Sequence, residues 1–225
     1  MKTAMMCDLR TLAPFLPPIL ITLVLICTFL TLGGGAVSAV GSVAVMMVLL
    51  CMFSFAGYDN QNGWDRYRAT LPLSRREIIT GRYLAVLLLG MAGVLVAVAT
   101  GGAFQALFRM LPVAPAVYAG SVSALLGASA VSMSWGLIIC AVAMPLTVKF
   151  GATRAMNLSA CGLGIIASLG VAVAAGIMPD EGFAMVAAWI EDNLIACIVG
   201  CIVVSLVAYG ASCVASVAIY ERKDI

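Results

Sequence analysis

Apolar residues dominate six stretches of the chain: Pro14–Leu32, Ala36–Gly57, Tyr83–Phe104, Tyr118–Met144, Leu158–Met178 and Leu194–Ile219. About 20 apolar residues in a helix cross the hydrocarbon of a bilayer, so each stretch predicts a transmembrane helix. Membrane strands are roughly half that length and alternate polar with apolar positions, a pattern these runs lack. The expected architecture is all-α: a polytopic membrane protein with one transmembrane domain over residues 1–225.

The polar segments between the runs set the orientation. With the N-terminus inside, the inner connections and termini hold Lys2, Arg10, Arg66, Arg68, Arg75, Arg76, Arg82, Lys149, Arg154, Arg222 and Lys223, and the outer ones hold only Arg109. The positive-inside rule therefore predicts both termini in the cytoplasm and a multi-pass protein of the cell membrane. Residues 1–12 read as a short amphipathic helix along the inner surface, ended by Pro14 and the Pro17-Pro18 pair. A basic region before an apolar one resembles a signal peptide, but the small residues that follow run straight into the next span, so an uncleaved first helix is expected.

The connection over residues 58–82 is the most charged, with five of the nine arginines. Within it Trp64, Tyr67, Arg68 and Leu71 fall at i, i+3, i+4 and i+7 of a short helix that Pro72 brings to an end. Ser74-Arg75-Arg76-Glu77 then has the form of a capping box, with Leu73 and Ile78 at the staple positions, and starts the helix that becomes the third span. Arg75 and Arg76 lie where the helix macrodipole disfavours positive charge, so an anion outside the helix is expected near them. Lipid headgroups and acidic groups of a partner both satisfy that expectation. After the fourth span, Pro145–Asn157 reads as a short basic inner connection that could touch a partner more weakly. Residues 179–193 read as the last outer segment, whose Asp180, Glu181, Glu191 and Asp192 read as a solvated lip rather than a metal site, being two separated pairs.

Composition narrows the chemistry. The chain is 64% hydrophobic and 10% charged with a net charge of +2, against about 25% charged residues in a soluble domain, and nothing in it suggests nucleic acid. Histidine is absent, which removes imidazole acid–base catalysis and most zinc and haem ligation. Seven of the eight cysteines fall in the apolar runs and read as small buried apolar residues. No Asp, Glu, Lys or Arg stands in the middle of a span, so the usual sign of ion coupling is missing, and the spans hold no nucleophile–base pair, paired acids or metal set for proteolysis. None of the three lysines follows a glycine, so there is no Walker A loop and a pump of this sequence must draw its energy from another polypeptide. Small residues recur every fourth position at Gly120, Ala124, Ala128, Ser132, Gly136 and Cys140, and again at Gly164, Ser168, Ala172 and Gly176, a pattern that permits close helix packing within the subunit or along an interface.

Asp59, Asn62-Gly63-Trp64, Tyr67, Thr70-Leu71-Pro72, Ser74-Arg75, Glu77-Ile78 and Arg82-Tyr83 together resemble the inner loop of bacterial ABC-2 type permeases, with Leu73 where that pattern has Val or Ile and Arg82 where it often has Lys. The resemblance implies six helices per subunit, a second permease subunit, identical or paralogous, and two ABC ATPase subunits beneath, which bind the ATP and magnesium; this chain itself would need no cofactor. It assigns the ATPase-coupling role to Trp64, Tyr67, Arg68, Leu71, Pro72, Arg75, Arg76 and Glu77, with Ser74 and Glu77 as the helix cap. Short permeases of this kind are similar to the phenol-soluble modulin exporter permeases, which points to an amphipathic peptide or other amphiphile as cargo and to a transport subunit rather than an enzyme. A membrane scaffold for a cytosolic partner, and an ion-coupled secondary transporter, are the competing readings.

Overall fold

The computed structural model describes residues 2–32, 41–43, 45–46, 52, 74–110, 122–151, 154–155, 157–158, 162, 185, 189 and 192–222. Among the described residues there is no strand. The helices are α1 (Lys2–Leu12), α2 (Leu16–Leu32, entered through a 3-10 turn at Ala13–Phe15), α3 (Arg75–Met110), α4 (Val122–Phe150) and α5 (Leu194–Glu221). Arg75–Phe104, Leu125–Phe150 and Leu194–Glu221 are long and apolar enough to cross a membrane, and Leu16–Ile26 is a shorter apolar helix. The predicted spans Ala36–Gly57 and Leu158–Met178 lie largely outside the described residues; residues 41–43, 45, 46, 52, 158 and 162 within them are helical.

Local chemistry explains where the helices start. Pro17 and Pro18 sit in the first turn of α2, where a missing backbone N–H breaks no helical bond. Hydroxyls along the spans are satisfied by carbonyls one turn back, as in Thr22 Oγ1 to Pro18 O at 2.8 Å, Thr28 Oγ1 to Val24 O at 2.7 Å and Thr100 Oγ1 to Val96 O at 2.8 Å. In a membrane an unsatisfied polar group costs several kcal/mol, so a serine or threonine in a span gains from such a partner. α1 packs on α3, burying Asp8 and partly burying Leu9 while Arg10 stays exposed.

The fourth span departs from the expected boundaries. Instead of ending at Met144 before Pro145, α4 continues through the proline to Phe150, so the basic connection starts at Gly151 and not at Pro145. Proline has no N–H for the carbonyl four residues back, here that of Ala141. Ser212 of α5 takes that place: its hydroxyl donates to Ala141 O at 2.6 Å. The helix then ends as helices commonly do, on a glycine of positive φ: Gly151 has φ 82° and its N–H reaches Thr147 O at 3.0 Å.

α4 and α5 share the largest interface among the described elements, with α3 against both. The core holds Leu23, Met52, Val86, Leu125 and Met144, all almost fully buried. Lipid tails are as apolar as these side chains, so their contribution is close packing and not escape from water. Polarity along α5 is accordingly reversed. Its buried residues are Ser205, Tyr209, Ser212, Ser216 and Tyr220, one face of the helix, while Val199, Val203, Val204, Val207 and Val214 are exposed.

Candidate coupling site

Ser74 and Glu77 form a closed capping box at the start of α3. The Glu77 N–H donates to Ser74 Oγ at 3.2 Å, and the Ser74 N–H donates to Glu77 Oε2 at 3.2 Å, with the Ser74 hydroxyl 3.1 Å from the same oxygen. Two of the backbone donors that a helix start leaves without helical partners are satisfied in this way. The direction in which α3 begins is therefore set by local chemistry.

The residues after the cap reach across to the last helix. Arg75 Nη1 donates to Glu221 O at 3.1 Å and lies 3.5 Å from Tyr220 O; Arg76 Nε pairs with Glu221 Oε1 at 2.7 Å. Residues 75, 76 and 83 of α3 meet residues 221, 216, 212 and 209 of α5 in reverse order, so the two helices run antiparallel, the positive end of one beside the negative end of the other. The charge that α3's own dipole disfavours is thus placed at the carbonyl end of α5, where Tyr220 O also accepts the Arg222 N–H. The Arg76–Glu221 pair is largely exposed, at 74% and 41%, and by itself is worth no more than about 1 kcal/mol. Its geometry carries more information than its energy.

Two turns further along α3, Tyr83 is held from three sides. Its hydroxyl lies 2.7 Å from Ser212 Oγ and 2.8 Å from Ser216 Oγ, and its carbonyl accepts the Tyr209 hydroxyl at 2.9 Å. The Tyr83 and Tyr209 rings are 4.8 Å apart and tilted by 50°. Through Ser212 the cluster also reaches Ala141 of α4, so one set of hydroxyls joins three helices. Arg82, beside Tyr83, is buried as well.

Of the residues assigned to coupling, Arg75, Arg76 and Glu77 come together here, with the cap residue Ser74. Trp64, Tyr67, Arg68, Leu71 and Pro72 lie outside the described residues. Tyr83, Tyr209, Ser212 and Ser216 were not among the sequence candidates as site residues. Their signal was the spacing of Ser205, Tyr209, Ser212, Ser216 and Tyr220 along one face of an otherwise apolar run.

Between α4 and α5, toward the start of α5, lies an apolar groove with a volume of about 1190 Å³, lined by Met46, Ser132, Trp135, Trp189, Ile198 and Cys201 among others. A smaller space of about 470 Å³ adjoins it, sharing Val131, Trp135, Cys197 and Cys201. Ser132 donates to Ser42 O at 2.8 Å, so this hydroxyl is occupied within the chain. Such a wall suits an apolar surface, and the volume lies somewhat above the range of about 300–1,000 Å³ usual for small-ligand pockets.

Apolar helices of membrane-crossing length, joined by internal hydrogen bonds, define a helical integral membrane protein. Residues 6–221 match the family described as ABC-2 family transporter protein, and the chain belongs to that family. No curated protein and no solved structure matches it.

Proposed function

We propose that the chain is the transmembrane permease subunit of an ATP-driven exporter. It would cross the cell membrane six times with both termini in the cytoplasm, pair with a second permease, identical or paralogous, and draw energy from two ABC ATPase subunits that hold ATP and magnesium. The observation that carries this reading is the family match over residues 6–221. It is supported by the sequence, which has no ATP-binding loop of its own and no charge in the middle of a predicted span.

Work enters, on this reading, through the segment before α3. Trp64, Tyr67, Arg68 and Leu71 form the docking face, Pro72 stiffens the corner, and the Ser74–Glu77 cap keeps the start of α3 from fraying under load. The cargo is an amphipathic peptide or another amphiphile, which the apolar groove suits better than an ion.

The test is reconstitution with the ATPase in inverted vesicles, measuring ATP-dependent uptake of a fluorescent amphipathic helical peptide. Uptake that needs ATP and fails with Trp64→Ala or Leu71→Ala, while the complex still assembles, supports the permease and its docking face. An ATPase that binds without any uptake favours a scaffold, and uptake driven by a proton gradient without ATP overturns the proposal.

A further inference from the structure

Resting on the permease reading, we infer that Arg75, Arg76 and Tyr83 are positioning residues that fasten α3 to α5, so that a stroke entering before α3 moves one wall of the apolar groove. Arg75 and Arg76 then act within the subunit instead of as contacts to the ATPase.

The geometry has three parts. First, α3 and α5 are attached at two levels: Arg75 and Arg76 hold residues 220 and 221, and Tyr83 holds residues 209, 212 and 216. At 1.5 Å per residue these levels are about 11 Å apart along α3. A single attachment lets two helices pivot; two separated ones transmit rotation as well as displacement.

Second, among the described residues these attachments lie along the second half of α5, from Tyr209 to Glu221. The groove residues of the same helix, Leu194, Cys197, Ile198 and Cys201, lie at its other end. From Ser212 to Cys201 is about 16 Å along the axis. One helix therefore links the tied level to the groove wall, and a small tilt at the tie becomes a larger displacement at the groove.

Third, the ties are matched to their surroundings. The Arg76–Glu221 contact is exposed and ionic and the Arg75 contacts are hydrogen bonds to backbone carbonyls, while the Tyr83 cluster is buried and neutral. Hydrogen bonds among neutral hydroxyls inside a membrane avoid the cost of placing charge there and are not screened by salt. The deeper tie holds under conditions that weaken the outer one.

The experiment uses the permease–ATPase complex in lipid nanodiscs. Spin labels are placed through a non-natural keto amino acid at Leu126 and Ile195, exposed positions on the two sides of the groove. Their separation is measured without nucleotide and with ATP plus vanadate. In the otherwise native complex the nucleotide changes this distance. Arg76→Glu combined with Tyr83→Phe reduces that change at least twofold with the ATPase still bound. Adding Glu221→Arg to Arg76→Glu restores the contribution of the ionic tie. Three results overturn the inference: an undiminished nucleotide effect in the Arg76→Glu, Tyr83→Phe variant, no recovery on the charge swap, or loss of the ATPase from Arg76→Glu, which makes Arg76 a docking contact.

Misfolding is controlled by the melting temperature of the isolated permease, which the charge swap must also recover. If the unsubstituted permease never retains an ATPase, the permease reading itself fails. The swap in the isolated chain then still shows whether the tie exists, and the two failures are distinguishable.

Discussion

Replacing Ser212 with alanine removes two contacts at once, and the cost of each can be worked out from its surroundings. The shorter one is the 2.6 Å bond from the Ser212 hydroxyl to Ala141 O, a carbonyl whose ordinary helical donor is missing because residue 145 is proline. Leaving this half-buried carbonyl without its donor costs about 1–3 kcal/mol. The second contact, 2.7 Å from the Tyr83 hydroxyl, is partly redundant because Ser216 stays 2.8 Å away, so its loss costs about 0.6 kcal/mol, the average for hydrogen bonds between membrane helices. Together they give a destabilisation of about 2–3 kcal/mol for Ser212→Ala. The sharper test is a double-mutant cycle with Pro145→Ala. That substitution supplies the N–H that Ala141 O lacks, so Ser212→Ala in this background should cost only about 1 kcal/mol and the coupling between the sites should be about 1–2 kcal/mol. Equilibrium unfolding in mixed detergent micelles measures all four variants. A Ser212→Ala cost that is the same in both backgrounds would refute the claim that the two helices share one carbonyl.

Other outcomes follow from single contacts. Ser74→Ala opens the capping box and should destabilise the start of α3 by about 0.5–2 kcal/mol, read as faster amide exchange at residues 75–78 with the rest of α3 unaffected. Gly101→Ala places a methyl group 2.8 Å and 2.9 Å from the two Leu125 methyl carbons and should cost about 1–3 kcal/mol in the same unfolding assay, whereas Gly102→Ala meets nothing within 4 Å and should be neutral or stabilising. Arg76→Ala removes only an exposed pair and should change stability by less than about 1 kcal/mol, so a large loss would mean that the ionic tie is stronger than its exposure implies.

What the sequence reveals of this fold is set by the range of the interactions. The capping box is readable because all its parts lie within four residues, and α5 is readable because it is one uninterrupted apolar run. The continuation of α4 through Pro145 is not readable in the same way. Proline is a local stop signal, and the hydroxyl that permits the helix to continue lies on another helix. The surroundings of Arg75 and Arg76 fail for the same reason. The macrodipole argument correctly demands an anionic neighbour but cannot say that the neighbour is the end of the chain's own last helix. A search for charge in the spans also passes over Tyr83, Tyr209, Ser212 and Ser216, because inside a membrane neutral hydroxyls do the joining that ions do at the surface. The docking face proposed at Trp64–Leu71 rests on the sequence alone.

The reversed polarity of α5 has a physical reason tied to its place in the molecule. A valine face gains nothing by turning from lipid to protein, so apolar burial alone would leave the rotation of this helix about its axis poorly determined. Placing Tyr209, Ser212 and Ser216 on one face changes that, because any rotation separates them from Tyr83 and from the open carbonyl of Ala141. The helix is then fixed in rotation at the level of the hydroxyls. Toward its start, the residues facing α4 are Cys197, Ile198 and Cys201, with no hydrogen bond to α4 among those of the described residues, and it is there that the groove opens. Directional bonds and an apolar gap occupy opposite ends of the same pair of helices. Moving the hydroxyls toward the groove should therefore close it: Cys201→Ser would add a donor facing α4, and a reduced reaction of Cys197 with N-ethylmaleimide in that variant would be the sign that the gap had narrowed. Unchanged labelling of Cys197 would mean that packing, and not the missing hydrogen bonds, keeps the groove open.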